Sequence, residues 1–296
     1  KPLSWYAHDS AFNGIFYTIK SNFEIKSAQK VLFDGNTIEN QWPGNGHKYC
    51  INIQAATGQS GSWVQTNDIT ITNNILKNCV GGMSVGRNYS EGSLDRILIE
   101  NNLLYNMSEY YGYENGYGLM APFSIFAVAD SINNVTINHN TIINEGEGSG
   151  LINILMTYGK PSSDLYFINN VVFHGQYGIK GDGGNSGFST FDLFFPPNNT
   201  NSYNQRFTNN VIVNNTHNIY VPGSYPATNY FPDTTASIDF IDYVNGLSDY
   251  NNYALNSVSP YHLMATDGKD IGVDMQLFNN ALNPSSDLYC PILTDI

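Results

Sequence analysis

The sequence predicts an all-β fold, a parallel solenoid built from short stacked strands. Three observations predict it. A unit repeats six times, each copy is preceded by a run that alternates apolar and polar residues, and no helical period competes with it before the last part of the chain. The copies are "DGNTIEN" (34–40), "TNNILKN" (72–78), "ENNLLYN" (100–106), "NHNTIIN" (138–144), "INNVVFH" (168–174) and "TNNVIVN" (208–214). Their aligned asparagines are Asn36, Asn74, Asn102, Asn140, Asn170 and Asn210, spaced between 28 and 40 residues apart.

Each copy reads as strand, Asn turn, strand, loop. The runs before the turn are "KVLFD", "DITIT", "RILIE", "NVTIN", "DLYFI" and "QRFTN", and alternation over four to six residues is a strand signal. A unit this short cannot bury its own apolar face, but stacked units can. Strands stacked in register lie about 4.8 Å apart. At that spacing identical asparagines can share side-chain amide hydrogen bonds, and Asn tolerates the left-handed backbone of a sharp bend. The six asparagines are therefore expected to form a ladder at one corner of the solenoid. Asn is common here, 41 of 296 residues, yet six aligned copies exceed what abundance alone produces.

Residues 1–236 are read as solenoid coils, with the ladder units spanning 22–221. Residues 1–21 form an aromatic lead-in of strand and loop on the first coil. A second apolar run follows each ladder turn, as in "YCINIQA", "GMSVGR", "SIFAVA" and "GIKGDG". Long loops at 56–67, 88–93, 182–202 and 222–236 recur at one corner, while 107–122 falls on the other side of its strand. Insertions that recur at one corner often line a binding face. Residues 237–296 lack the repeat and carry one modest helical pattern, "DMQLFNNAL". They are read as a C-terminal segment that packs on or caps the solenoid and shields open strand edges.

Composition narrows the function. The formal net charge is −13, which argues against nucleic acid and anionic membrane, and mildly against an unassisted anionic polysaccharide. Bound cations would reverse that locally. Charged residues make up only 12% and Tyr numbers 21, so the surface must be rich in Asn, Ser, Thr, Gly and Tyr, which suits sugar hydroxyls and sugar-ring stacking. No apolar run of membrane length and no signal peptide appears, and a start at Lys1 suggests a processed or truncated chain. Cys50 and Cys79 fall in consecutive units and read as small core residues in preference to a disulfide; with Cys290 the count is odd. Sequons occur at Asn88, Asn106, Asn134, Asn198 and Asn214.

With these residues in view, the chain resembles the right-handed parallel β-helix repeat proteins of the pectate-lyase-like superfamily, and more narrowly a group of bacterial secreted proteins with this repeat. The matching stretches are "NFEIKSAQKVLFDGNTIENQW" (22–42), "RILIENNLLYNM" (96–107), "HNTII" (139–143), "YGIKGDG" (177–183) and "SPYHLMATDGKDIGVDM" (259–275). The resemblance spans nearly the whole chain. It implies a right-handed parallel β-helix, a secreted or cell-surface location and further coils upstream. It implies function weakly, because this superfold hosts lyases, hydrolases, esterases, adhesins and phage tailspikes.

Lyases of this superfold use a Lys or Arg base, often with calcium neutralising the uronate carboxylate. The candidates here are Lys180 and Arg87, expected two coils apart, with Asp182 beside Lys180; Lys180 and Asp182 also suit a solvated pair on a Gly-rich turn. Glu145 and Glu147 in "NEGEGSG" are the candidate metal ligands, with a plain polar turn as the rival reading, and His139 reads as a ladder surrogate or a satisfied turn residue. Tyr110, Tyr111, Tyr113 and Glu114 in "SEYYGYENGYG", with Glu109, are the candidate sugar-stacking surface. Neither the aspartate triplet of a polygalacturonase nor a nucleophile-elbow or P-loop motif is present. Two readings follow. In one, the protein binds and cleaves an extracellular polysaccharide by lyase-type elimination. In the other, it is a non-catalytic structural or adhesive protein that self-associates into filaments through solenoid ends or edges.

Overall fold

A computed structural model of the chain describes residues 1–15, 17, 20–42, 48–55, 63–87, 93–115, 122–127, 134–144, 152–156, 164–181, 195, 207–214 and 225–284. Eighteen short strands form three six-stranded parallel sheets. Sheet A holds β1 (Phe23–Ile25), β4 (Ile51–Ala55), β7 (Met83–Arg87), β10 (Phe123–Ala127), β13 (Ile152–Met156) and β16 (Ile179–Gly181). Sheet B holds β2 (Ala28–Asp34), β5 (Gln65–Thr72), β8 (Ser93–Glu100), β11 (Val135–Asn138), β14 (Leu165–Ile168) and β17 (Phe207–Thr208). Sheet C holds β3 (Thr37–Gln41), β6 (Ile75–Cys79), β9 (Leu103–Met107), β12 (Thr141–Ile142), β15 (Val171–Phe173) and β18 (Val211–Val213). Every third strand pairs, so the chain winds A to B to C in six coils of a parallel β-helix.

The interior is filled by register. Ile69, Ile97, Val135 and Leu165 stack as one row; Ile71, Ile99, Ile137, Phe167 and Phe207 as the next; Leu76, Leu104 and Ile142 face them from sheet C. All are at most 1% exposed, so a truncation to Ala in these rows costs about 2–5 kcal/mol. Tyr225 stacks on Phe207 at 5.7 Å between ring centroids and extends that row towards the C-terminal end.

The B–C corner explains why the repeat needs consecutive asparagines. The residue before each aligned asparagine lies in the left-handed region: Gly35, Asn73, Asn101, His139, Asn169 and Asn209. The aligned asparagine then turns inward. Asn74 Nδ2 and its backbone N–H both donate to Asn102 Oδ1 at 3.0 Å, and Asn102 makes the same pair of bonds to Asn140. Asn140 reaches Asn170, and Asn170 reaches Asn210, in the same way. Asn36 donates to Asn74 at the first coil, and Asn210 donates to Asn229 beyond the sixth. The spare amide hydrogen bonds a carbonyl of the preceding coil, such as Phe33 O for Asn74 and Ile71 O for Asn102. Asn40, Asn78 and Asn106 are also left-handed and bond one another along the C–A side, Asn106 to Asn78 at 2.6 Å and Asn78 to Asn40 at 2.8 Å.

Residues 237–284 do not sit over the last coil. They run back along the outer face of sheet C. Ile238, Phe240, Tyr253, Tyr261, Ile271, Val273 and Phe278 cover Ile75, Leu103, Tyr105, Val171, Phe173, Val211 and Val213. Gly272 N–H donates to Asn169 O, Asp274 N–H to Asn101 Oδ1, and Ala281 lies against Gly35 of the first coil. The expected helix is present as α1 (Met275–Leu282), capped by Asp274, whose carboxylate accepts from the N–H groups of Gln276 and Leu277. What covers the sixth coil's sheet-C edge is 229–232: Tyr230 bridges Val211, and Ile212 N–H donates to Tyr230 O at 2.8 Å.

Two further expectations are corrected. The lead-in holds a single 3-10 turn, Leu3–Trp5, and no strand before Phe23 among the described residues; its Tyr6 is buried against Trp42 instead. Cys50 and Cys79 are core residues, but they are also disulfide-bonded, with Cα atoms 6.8 Å apart. Cys79 ends β6 and Cys50 precedes β4, so coil geometry brings them together at the C–A corner.

Candidate functional site

The outer faces of sheets B and C differ. Sheet C is largely covered, with Thr37, Glu39 and Lys77 of its first two strands at least partly exposed, whereas along sheet B every second residue is at least partly exposed. Strand register aligns the outward residues in two rows. One is Leu32, Thr70, Leu98, Thr136 and Tyr166; the other is Asp34, Thr72, Glu100, Asn138 and Ile168. Residues 266–277 of the C-terminal segment form one wall, because Asn169 Oδ1 accepts Thr266 N–H at 2.9 Å and Asn101 holds Asp274. Where wall and sheet meet lies a cavity of about 180 Å³ lined by Leu32, Asp34, Glu100, His139, Asp267, Lys269 and Asp274, among others.

The carboxylates of this corner are held by local donors. Asp34 accepts from Thr72 Oγ1 at 2.8 Å and Asn73 Nδ2 at 2.6 Å. Glu100 accepts from Asn138 Nδ2 at 2.5 Å, and Asp274 pairs with Lys269 at 3.2 Å. Further along sheet B, Arg96 grips Asp68 with two nitrogens, at 2.5 and 3.0 Å. That hydrogen-bonded pairing lowers the Asp68 pKa and raises that of Arg96.

Of the residues singled out in the sequence, the two candidate bases lie on different strands of sheet A. Arg87 ends β7 and Lys180 lies in β16, three strands away and not two, because β7, β10, β13 and β16 are successive neighbours. Three spacings make roughly 14 Å. Their registers differ as well: Arg87 aligns with Ala127 and Met156, Lys180 with Asn153 and Ser124. Asp182, Glu145 and Glu147 lie outside the described residues. Tyr110, Tyr111, Tyr113 and Glu114 fall in a 3-10 helix, Glu109–Asn115. Tyr110 packs edge-on to Tyr6 and donates to His8 O at 2.9 Å, while Tyr111 is half-buried beside it, which raises its pKa. These two tyrosines seat the lead-in against the coils. Asn36, Asn74, Asn102, Asn140, Asn170 and Asn210 all stand in the hydrogen-bonded stack.

Most of this face escaped sequence reasoning, which singled out only His139 among the residues that line the cavity. Tyr166 is the aromatic on the open face, and its signal was the outward position of an alternating run, "DLYFI". Asp267 had no signal, since it meets the repeat only through the returning segment. Among the described residues no three His, Cys, Asp or Glu side chains converge as a metal cluster. No protein-family model, no curated protein and no solved structure matches the chain.

Proposed function

We propose that the protein binds an extended polysaccharide outside the cell, along the outer face of sheet B. One observation carries this reading. The open face sets hydroxyls (Thr70, Thr72, Thr136), carboxylates (Asp34, Glu100), one amide (Asn138) and one tyrosine ring (Tyr166), interspersed with Leu32, Leu98 and Ile168, in two rows that cross successive strands beside a fixed wall. Rows of polar groups one strand spacing apart run in the direction of an extended ligand, and many weak contacts then add along one chain. The lining is acidic, with Asp34, Asp68, Glu100, Asp267 and Asp274 against Arg96 and Lys269, which favours neutral or amino sugars over polyuronates. The resemblance to pectate-lyase-like repeat proteins is consistent with a polysaccharide ligand of some kind.

Binding is preferred to cleavage on this face because the candidate bases Lys180 and Arg87 lie on sheet A and not on sheet B. Each remains a candidate base only by itself. The test is a panel of neutral, amino and acidic polysaccharides, measured for affinity and for unsaturated products or new reducing ends. Tyr166→Ala is expected to weaken the best ligand at least tenfold with an unchanged melting temperature. Unsaturated product that disappears in Lys180→Ala would replace the binding reading with a lyase. Absence of binding across the panel would support the structural reading, and electron microscopy would then look for filaments.

A further inference from the structure

His139 departs from the pattern of its own repeat. Of the six left-handed positions before the buried asparagines, four are Asn and one is Gly; His139 is the sixth, with φ +52. Asn101 and Asn169 use their amides to bond neighbours, Asn73 and Asn138 respectively. His139 does not. Its Nδ1 lies 3.0 Å from Gly272 O. A carbonyl only accepts, so Nδ1 carries the hydrogen, and in the neutral ring Nε2 then presents a lone pair. His139 is 4% exposed, it lines the corner cavity, and its buried Nε2 makes no hydrogen bond.

What Nε2 faces is Asp267 Oδ1, 3.3 Å away. A lone pair set against a carboxylate invites a cation between them. Two donors bound to one ion at about 2.0–2.1 Å with tetrahedral angles stand about 3.3 Å apart. A second His–Asp pair shows the contrast: His262 Nδ1 and Asp270 Oδ1 are 2.6 Å apart, which leaves no room for an ion. The supports of a metal site are also in place. Gly272 O fixes the His139 ring from its other nitrogen, as ligating histidines require. Lys269 N–H donates to Asp267 Oδ1 at 3.2 Å and fixes the carboxylate in its turn. Four carboxylates and one ammonium group line the cavity, so its field favours a cation.

We propose that His139 and Asp267 bind a divalent ion of borderline softness, zinc being the type, with water completing its coordination. Imidazole as a ligand argues against calcium, which takes oxygen donors. The ion ties the returning segment, through Asp267, to the fourth coil, through His139. This site does not depend on glycan binding.

The test titrates the whole chain, stripped with chelator, with zinc alone by calorimetry, and melts it with and without zinc. The variants are His139→Asn, Asp267→Asn and the control His262→Asn. Asn is the residue four other coils hold at the same backbone position, so His139→Asn keeps the turn. The expected result is one zinc site in the wild type, weakened at least tenfold in His139→Asn and in Asp267→Asn and unchanged in His262→Asn. Zinc should raise the melting temperature of the wild type and not that of His139→Asn. Identical isotherms for wild type and His139→Asn, no zinc binding at all, or calcium binding in place of zinc would each overturn the proposal.

Discussion

Sheets B and C are built from the same repeat, stack in the same six coils and meet at the same asparagine corner, yet one shows its outer face and the other hides it. In sheet B, β8 reads buried and half-exposed in turn from Ile97 to Glu100. In sheet C, β15 and β18 are buried at every position. The sequences differ accordingly: "RILIE" alternates, while "VVF" and "VIV" run apolar throughout. A parallel strand covered on both faces reads as a continuous apolar run, and one covered on a single face alternates. The difference therefore records the C-terminal segment, which lies on sheet C and leaves the outer face of sheet B partly exposed.

The sharpest way to break this comparison is to put the same charge on both faces. Leu103 is fully buried on the outer side of sheet C, beneath the returning segment. Leu98 is its half-buried counterpart on sheet B. Leu103→Asp should cost about 4 kcal/mol or more, because it buries a carboxylate among apolar side chains with no partner. Leu98→Asp should cost under about 1 kcal/mol. Urea midpoints of the two variants check this. Equal losses would mean that the faces are covered alike.

The next largest effect lies at the shared corner. Asn140 Oδ1 accepts two bonds from Asn102, and its Nδ2 donates to Ile99 O, Asn138 O and Asn170 Oδ1. Asn140→Ala strands several buried donors and acceptors at once and should cost about 3 kcal/mol or more. Asn138→Ala, on the open side of the same turn, removes one bond to Glu100 and one from Asn169 and should cost about 1 kcal/mol. Denaturant melts of the pair would separate the buried stack from its outer neighbour. A milder loss in Asn140→Ala than in Asn138→Ala would show that the stack contributes little.

How much of this was readable in the chain follows from range. Period-two alternation and the six asparagines are local, so the strands of sheet B and the positions at its corner could be read directly. The helix over 275–282 was local too. The seventh stacked residue, Asn229, was missed because no alternating strand precedes it; a bare "TNYF" carries too little signal. The disulfide depends on coil register, which variable loops obscure. The course of 237–284 is wholly non-local: Asp274 meets Asn101, and Ala281 meets Gly35. The same reason hid half of the proposed metal pair, since Asp267 reaches His139 only once the segment has returned. In the tyrosine loop, the abundance of rings could not show that Tyr110 and Tyr111 pack against Tyr6, more than 100 residues earlier in the chain.

Alkali should test the burial of phenols on the covered face and at the end of the interior row. Burial raises the pKa of Tyr105, on sheet C, and of Tyr261, in the segment that covers it. Burial also pushes Tyr225, at the end of the interior row, up to about 12. A released or unfolded phenol ionises near its ordinary value of about 10. Above that pH the unfolded state has lost protons that the folded state still holds, so stability falls as pH rises from about 10 to 12. The Tyr225 shift alone corresponds to at most about 3 kcal/mol across that window. Melting temperatures between pH 9 and 12, followed with phenolate absorbance, check the direction. A melting temperature that stays flat through this range would count against burial of these phenols.

The smallest effect belongs to the open face itself. Arg96 sits in the left-handed region at φ +55 and is held there with its bidentate grip on Asp68. The following coil places Asn134 at the corresponding bend, also left-handed. Asn adopts this conformation more readily than Arg, so Arg96→Asn trades an ion pair for an easier backbone. The Arg96 side chain is 38% exposed, and exposed pairs contribute only about 0–1 kcal/mol. The two changes oppose each other, and Arg96→Asn should shift stability by less than about 1 kcal/mol in either direction, with the remaining dependence on salt reduced. A loss comparable to that of Asn140→Ala would mean that sheet B is organised from its outer face as firmly as from its core, and the contrast between the two sheets would need another cause.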